Sequence, residues 1–545
     1  GFSGDLQFSD RRWLHQPARV YGTTNYWMAD GSLNLNYHAG NWSAYASLNT
    51  DQDHELEGFE TDVFYPAQTW MQTDTGDYRY HNFSVMAGAD YKINSKASIG
   101  ASYLGGRTVY IGSDHVNNPV YNHNGALDST LRTYATYYPI ALPNSVNVHA
   151  VINFDSSGKK LLLNADYFDY YRTDRSDFES NSYLPGGQEI PAGNTRYHDT
   201  NKEDIKIYTI KADAEIPTRF ARLSFGGKLS FIDNYSNAFY YDKGSNGELT
   251  YNTNLSNEFK YNENTQSLYV NIANEKNKWK YQAGLRAEYT GTKGYSFTLD
   301  QTTIHKYLRL FPSLSVSYQL NPDNSFALGL GRRINRPSFW NLNPFKSLFT
   351  AYSYGEGNPY LQPENISNLE ISHRYRNRLN SSLFLNITDN GFNNLTIAAA
   401  DTNLVYTIPL NFIKTIRMGI TESFSLRLFP WLDNSNQVSV YHTDARSSIP
   451  FVENINGYGM YLSTHNIVYL NSAKTFAAFM NFWYQFPEID HIGRADAYSK
   501  LDFGVTAKAL KDKMDISLSL NDLFNRSASA VTSTANGIRT KFSNS

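Results

Sequence analysis

The side chains able to do chemistry here are charged groups that strand alternation aims at one face. In "SFALGLGRR" (residues 325–333), Phe326, Leu328 and Leu330 share an apolar face, leaving Ala327, Gly329, Gly331 and Arg333 on the other. On the next predicted strand Leu369 and Ile371 are apolar, which turns Glu370 to the polar face beside Arg333. "GLRAEYT" places Arg286 and Glu288 on one face in the same way. Such groups can make ionic contacts; they hold no proton-shuttling or nucleophilic constellation. "DQDHELEGFETD" (residues 51–62) collects six acids and a histidine without the D-x-[DN]-x-[DN]-G spacing of a calcium loop, so a solvated acidic loop is expected. His15, His54, His115 and His123 fall in predicted loops, where they could touch an iron chelate or simply be solvated. Cysteine is absent, which removes disulfides, thiolate nucleophiles and thiolate metal sites together. No Ser-His-Asp order, Gly-rich phosphate loop or H-E-x-x-H occurs, so neither an enzyme nor a resident metal or other cofactor is expected.

The elements that carry these residues are strands. Period-two alternation recurs in "GSLNLNY", "NWSAYASLN", "FSVMAGADY", "KLDFGVTAKA" and "MDISLSL"; in the last, Met514, Ile516, Leu518 and Leu520 share one face. A soluble sandwich would alternate as well, so the connections decide. Short ones ("HAGN", "INSK", "DSSGKK", "NEKNK", "NPDN", "LNSAK", "LKDK") take turns with long ones (residues 51–78, 173–203 and 234–266). Short turns at one end and long loops at the other mark an outer-membrane β-barrel. Aromatic clusters such as "DYFDYYRTD" and "FMNFWYQF" suit girdles at the lipid interfaces, although Tyr and Phe favour strands anyway.

Composition agrees. Hydrophobic residues are 41% of the 545, below the roughly 45 to 50% of ordinary globular chains, yet aromatics reach 15%. Net charge is -3, so no field recruits nucleic acid or an anionic surface. No apolar run approaches the roughly 18 residues of a transmembrane helix. The fold expected is all-β, a transmembrane antiparallel barrel of about 22 strands in the outer membrane of a Gram-negative bacterium, in contact with its lipids. About 21 candidate strands can be counted. Because the chain opens inside a strand and "NRSASAVTSTANGIRTKFSNS" reads as a loop, the last strand is expected beyond Ser545 and a plug domain upstream of Gly1, residues 1–545 being barrel throughout.

"GEGNPYLQPENISNLEIS" (residues 355–372) interrupts the alternation, because Pro359 and Pro363 cannot donate ladder hydrogen bonds and Gly357 and Asn358 tolerate turns. With "RRINRPSFWNLNPF" before it, this region resembles the mid-barrel motif of TonB-dependent receptors of the Bacteroidota outer-membrane β-barrel type. The matching loop positions are Gly357, Asn358, Pro359, Leu361, Pro363 and Glu364. Tyr360 and Gln362 depart from the pattern, and "NDLFN" (residues 521–525) is similar to the motif that closes the penultimate strand. The resemblance implies an extracellular loop at the substrate-facing rim. It also implies plug contacts at Glu370 and Glu288, with Arg333 and Arg286 beside them in the lumen, and import of a scarce solute: siderophore, haem, cobalamin, peptide or oligosaccharide. The partners implied are the TonB energy-transducing complex, engaged through an upstream segment, and a small solute ligand. Two alternatives stay open: a passive porin, and a non-transporting or secretion-associated scaffold that binds surface lipoproteins.

Overall fold

Alternation becomes ladder along nearly the whole chain. The computed structural model describes residues 2–11, 24–65, 67–350, 352–376, 378–398, 404–426, 429–509 and 514–544. Their 29 strands join in one sheet. The remaining regular structure is one α-helical turn, Phe339–Leu342, and one 3₁₀ turn, Pro191–Gly193. Among the described residues every ladder is antiparallel except that between Ser353–Glu356 and Val405–Leu426.

"HAGN", "INSK", "DSSGKK", "NEKNK", "NPDN" and "LNSAK" all close hairpins at one end, as at Ala39↔Trp42, Lys276↔Trp279 and Asn321↔Asn324. "LKDK" (residues 510–513) and His15 lie outside the described residues. The exposed apolar side chains gather toward this end. On Trp279–Ser296 they are Trp279, Tyr281, Leu285 and Tyr289, flanked by Leu268, Val270 and Ile272 on one neighbour and Leu308 and Leu310 on the other. Leu268 is 73% exposed, a cost in water that hydrocarbon removes. Beside the turns, Trp42 packs on Tyr91 at 4.7 Å and Trp279 on Tyr318 at 4.5 Å, an aromatic girdle at the belt's edge.

At the opposite end the expected loops are mostly strand. Residues 51–64 and 69–82 form one continuous ladder from Asp51↔Asn82 to Phe64↔Thr69. Lys160–Tyr183 and Thr195–Pro217 stay paired to Ser180↔Thr195, and Arg222–Lys243 pairs with Asn257–Lys276 up to Ala238↔Asn257. The physical reason is that period-two contrast exists only where one face meets hydrocarbon. A membrane crossing takes about 9 to 11 residues. Strands such as Gln68–Lys92 run 25 residues, and beyond the belt both their faces are polar while the backbone ladder continues.

The stretch after "NDLFN" is also strand. Met514–Leu520 pairs with Tyr498–Ala509, and Ala530–Ala535 continues the same line along Gly493–Ala495. Between them Leu523 N–H donates to Leu501 O (2.8 Å) and Ser499 N–H to Arg526 O (2.9 Å). Ile538–Asn544 then pairs with Ala530–Ala535 on one side and with residues 59–64 on the other, closing the ring at its tall end. The reversal is a tight Asn536-Gly537 turn with both φ positive, 51° and 74°, a hairpin signal that "TANGIR" already carried.

The tall hairpins half-bury acids well outside the belt. Asp74 faces Asp114 across the ladder pair Gly76↔Asp114, and Tyr78 O–H donates to Asp114. The Asp74 Oδ1 is buried without a hydrogen bond. Burial, reinforced by the Asp114 charge, pushes the Asp74 carboxyl up to about 7. A carboxyl raised above its ordinary 3.8 favours the fold while protonated, and that contribution is lost as pH rises through about 7. Amide exchange across 69–80, corrected for its intrinsic pH dependence, should therefore be faster at pH 8 than at pH 5, and Asp74→Asn should shrink the difference, the rest belonging to Asp114, which burial also raises. Protection that does not change between these pH values in the wild type would refute this.

Candidate binding site in the lumen

Residues 336–363, between the strands Asn324–Asn335 and Glu364–Tyr375, fold against the inner wall of the ring. That wall is recognised by parity. On Arg222–Lys243 the exposed residues are Phe225, Leu229 and Phe231, so Ser236 and Tyr240 point inward; on Asn257–Lys276, Leu268, Val270 and Ile272 point outward and Asn257 and Phe259 inward. Ser338 caps the turn Phe339–Leu342, its Oγ accepting from Asn341 N–H (3.4 Å), with Pro337 pre-set before it. Asn343 then donates to Ser236 Oγ (3.1 Å) and accepts from Asn257 Nδ2 (3.0 Å). Phe339 packs on Phe259, Phe345 on Tyr240 and Tyr352 on Trp70, each pair at 5.8 Å between ring centres. The segment thus crosses from one side of the wall to another before Ser353–Glu356 returns along Val405–Thr407.

The residues singled out as a rim loop make that return. A Cβ at Gly357 would lie 2.1 Å from Asn343 O and 2.7 Å from Trp340 O, so the close approach to the helical turn needs glycine. Asn358 N–H donates to Asn341 O (2.6 Å), its Nδ2 to Pro409 O (3.0 Å), and its Oδ1 accepts from Tyr360 N–H (2.9 Å). Leu361 is buried, and Gln362 N–H and O are both held by Asn411. Pro359 and Pro363 line a cavity beneath the segment; Glu364 starts the next strand and accepts from Asn335 (2.7 Å). The loop expected at the rim folds inward against the wall before it enters the next strand. Its turn chemistry was legible, whereas its docking on a wall a hundred residues away was not.

The structure separates one of the two predicted charge pairs. Glu370 and Arg333 share the inner face, but the register sets Glu370 opposite Gly329 and Arg333 opposite Ile366, four residues apart along the strand. The expectation that they adjoin fails because alternation gives the face and not the register. Glu370 accepts from Ser382 Oγ (2.6 Å), and both it and Arg333 are exposed to the lumen. Arg286 and Glu288 do lie together, and Glu288 is 1% exposed. Its two oxygens receive Arg286 and Arg336, and Ser267 Oγ adds a bond of 2.9 Å. Arg336 also reaches Thr290 Oγ1 (3.2 Å), Tyr307 Oη (3.3 Å) and Glu263 (3.7 Å). Glu288 is thus occupied from within the barrel. Arg336, whose face could not be read because it lies past a strand end, is the residue that pins the in-folded segment.

Of the loop histidines, His54 bonds Asp77 Oδ1 (2.8 Å), His115 packs on Tyr134 at 4.7 Å, and His123 sits exposed in a hairpin turn. The geometry offers a lumen lined by charges and narrowed by a docked segment. It suits selective passage or solute binding.

Comparison with known proteins follows the same lines. A family profile described as "Outer membrane protein beta-barrel family" matches residues 152–545. No curated protein matches the sequence. Among solved structures the chain is similar to a doubly substituted ferric enterobactin receptor (PfeA) of Pseudomonas aeruginosa, with 14% identity, TM-score 0.53, and coverage of 100% of this chain and 80% of that one. It is also similar to the FrpB iron transporter of Neisseria meningitidis (13%, TM-score 0.55, coverage 96% and 81%). The FpvA structure of P. aeruginosa with heterologous pyoverdines gives 12%, TM-score 0.53, and coverage of 96% and 70%. At such identities these likenesses speak for the fold.

Two substitutions test the docking. Gly357→Ala should detach the segment, seen as new proteolytic cleavage within 344–362 while the barrel stays folded; an uncleaved variant would refute the close approach. Arg336→Ala leaves buried carboxylate charge less compensated, a loss of about 3 kcal/mol, so amide protection across 339–361 should fall by about two decades. A change below threefold would show that Arg336 does not pin it.

Proposed function

Because the chain belongs to the outer membrane β-barrel family, we propose that it forms the barrel of a TonB-coupled importer of a scarce solute in the bacterial outer membrane. The observation that carries this reading is the size of the ring. Of the 29 strands, Leu249–Tyr251, Lys346–Thr350 and Ser353–Glu356 lie in loops. Eight more are halves of four interrupted staves: residues 127–137 with 140–153, 476–485 with 488–490, 493–495 with 498–509, and 514–520 with 530–535. Ile538–Asn544 continues the line of Thr24–Ala39 along the same edge of Trp42–Phe64, so about 21 staves remain among the described residues. Barrels of about that number in outer-membrane transporters enclose a wide, plugged lumen.

The plug is the part this reading adds, supplied by chain upstream of Gly1. Glu370 and Arg333, exposed on the inner wall and not paired to one another, are its separate contact points. Glu288 serves the in-folded segment instead, and Arg286, half exposed beside it, can still meet a filling domain. The tall hairpins are extracellular and the tight turns periplasmic, so residues 336–363 stand over the plug where a solute first arrives. An iron–siderophore complex is the favoured solute, since the similar structures include a ferric enterobactin receptor and an iron transporter.

The test is uptake of radiolabelled ferric siderophores by cells expressing the complete gene together with an inner-membrane energy-transducing complex. Uptake should stop on adding a protonophore. Glu370→Ala should raise passive entry of a small antibiotic several-fold with the barrel assembled. Uptake indifferent to the protonophore would make the protein a passive pore. Wild-type leak and uptake in assembled Glu370→Ala would remove that residue from the plug contact.

A further inference from the structure

Beneath the in-folded segment lies a cavity of about 310 Å³, the volume of about ten water molecules. It is bounded by the inner wall on one side and by Pro359–Pro363 on the other. Phe259, Leu342 and Leu361 give it apolar surface, and His305 and Arg309 from the strand Gln301–Asn321 give it polar edges. The two share a face, because 305 and 309 have the same parity as the inward Thr303 and opposite parity to the exposed Leu308 and Leu310.

Neither is fully satisfied by the protein, although the Arg309 guanidinium lies over the Tyr307 ring at 5.8 Å. The His305 Nε2 and Arg309 Nε are both buried and make no hydrogen bond. Arg309 stands directly across the ladder from Glu288, the carboxylate that should neutralise it, but Glu288 is taken by Arg286 and Arg336. Glu263, the acid among the lining residues, faces Arg336 at 3.7 Å and accepts from Tyr261 (2.9 Å) and Thr265 (3.1 Å). In this cluster two carboxylates meet three guanidiniums, so one positive charge is left over, and it is Arg309's. Buried polar groups normally find partners, and here the open space lies beside a guanidinium, an imidazole nitrogen and an apolar wall.

We propose that this cavity binds a small organic carboxylate, its anion held by Arg309 and His305 and its hydrocarbon body seated against Phe259 and Leu361. An inorganic anion would leave the apolar wall uncovered, and a body of about ten non-hydrogen atoms exceeds a single acidic side chain, so the occupant is a free solute. The inference stands apart from coupled import, because equilibrium binding to the barrel is measured without any transport.

The probe is benzoate, titrated calorimetrically against the folded chain in detergent, with benzamide as its uncharged isostere. Benzoate should bind at least tenfold more tightly than benzamide. Arg309→Gln should abolish that preference, and His305→Gln should reduce it, while heat-modifiable gel mobility reports an intact barrel in each. Should Arg309→Gln fail to assemble, Arg309→Lys takes its place, keeping the charge but losing Nε, with a weakened preference expected. Equal binding of benzoate and benzamide, no binding at millimolar concentration, or an unchanged preference in the assembled Arg309 variant would overturn the proposal.

Discussion

In hydrocarbon a backbone amide or carbonyl has no water to turn to, so a sheet that meets lipid must pair every strand on both sides. The rest of this molecule follows from that demand. It makes the chain return at tight turns such as Asn321–Asn324, keeps consecutive strands antiparallel, and bends the sheet until its ends meet. The ring closes through Ile538–Asn544, which finds partners in both Ala530–Ala535 and the far end of Trp42–Phe64. Ladder energy is indifferent to side chains, which is why strands continue past the belt when the apolar alternation has gone.

Closure creates an interior, and the interior has to be managed. A ring of this circumference cannot be filled by wall side chains alone. Part of the space is taken by residues 336–363, held in two ways. Backbone meets backbone where Gly357 lies against Trp340 and Asn343, and charge meets charge where Arg336 reaches Glu288. The second contact is of the kind whose net worth depends on completeness, since a buried carboxylate is tolerable only while its partners stay in place. With Arg286, Arg336 and Ser267 around it Glu288 is fully provided for, and the cost is passed on to Arg309, which loses its cross-strand partner. Local satisfaction at one carboxylate thus leaves a donor-rich cavity next to it.

The two ends of the barrel are built for different work. Short turns flanked by Trp42, Tyr91, Trp279 and Tyr318 anchor one edge of the belt. The tall hairpins at the other end rise beyond it and hold half-buried acids such as Asp74, whose carboxyl is raised by burial.

By itself the sequence determined everything that depends on neighbouring positions. Alternation identified the strands and their outward faces, including Phe326, Leu328 and Leu330 against Arg333, and turn residues located the tight reversals. The Asn536-Gly537 hairpin was equally legible but lay hidden in a stretch too polar to alternate. What depends on distance along the chain was decided only by the tertiary structure. Register moved Glu370 away from Arg333, although both kept the expected face. Arg336 gained its meaning from Glu288, 48 residues earlier, and Gly357 from Asn343, with which it shares no strand. The reason is physical: which face a strand residue takes is set by its own backbone geometry, whereas what it touches is set by how far the neighbouring strand has slid, and one sequence carries no local record of that.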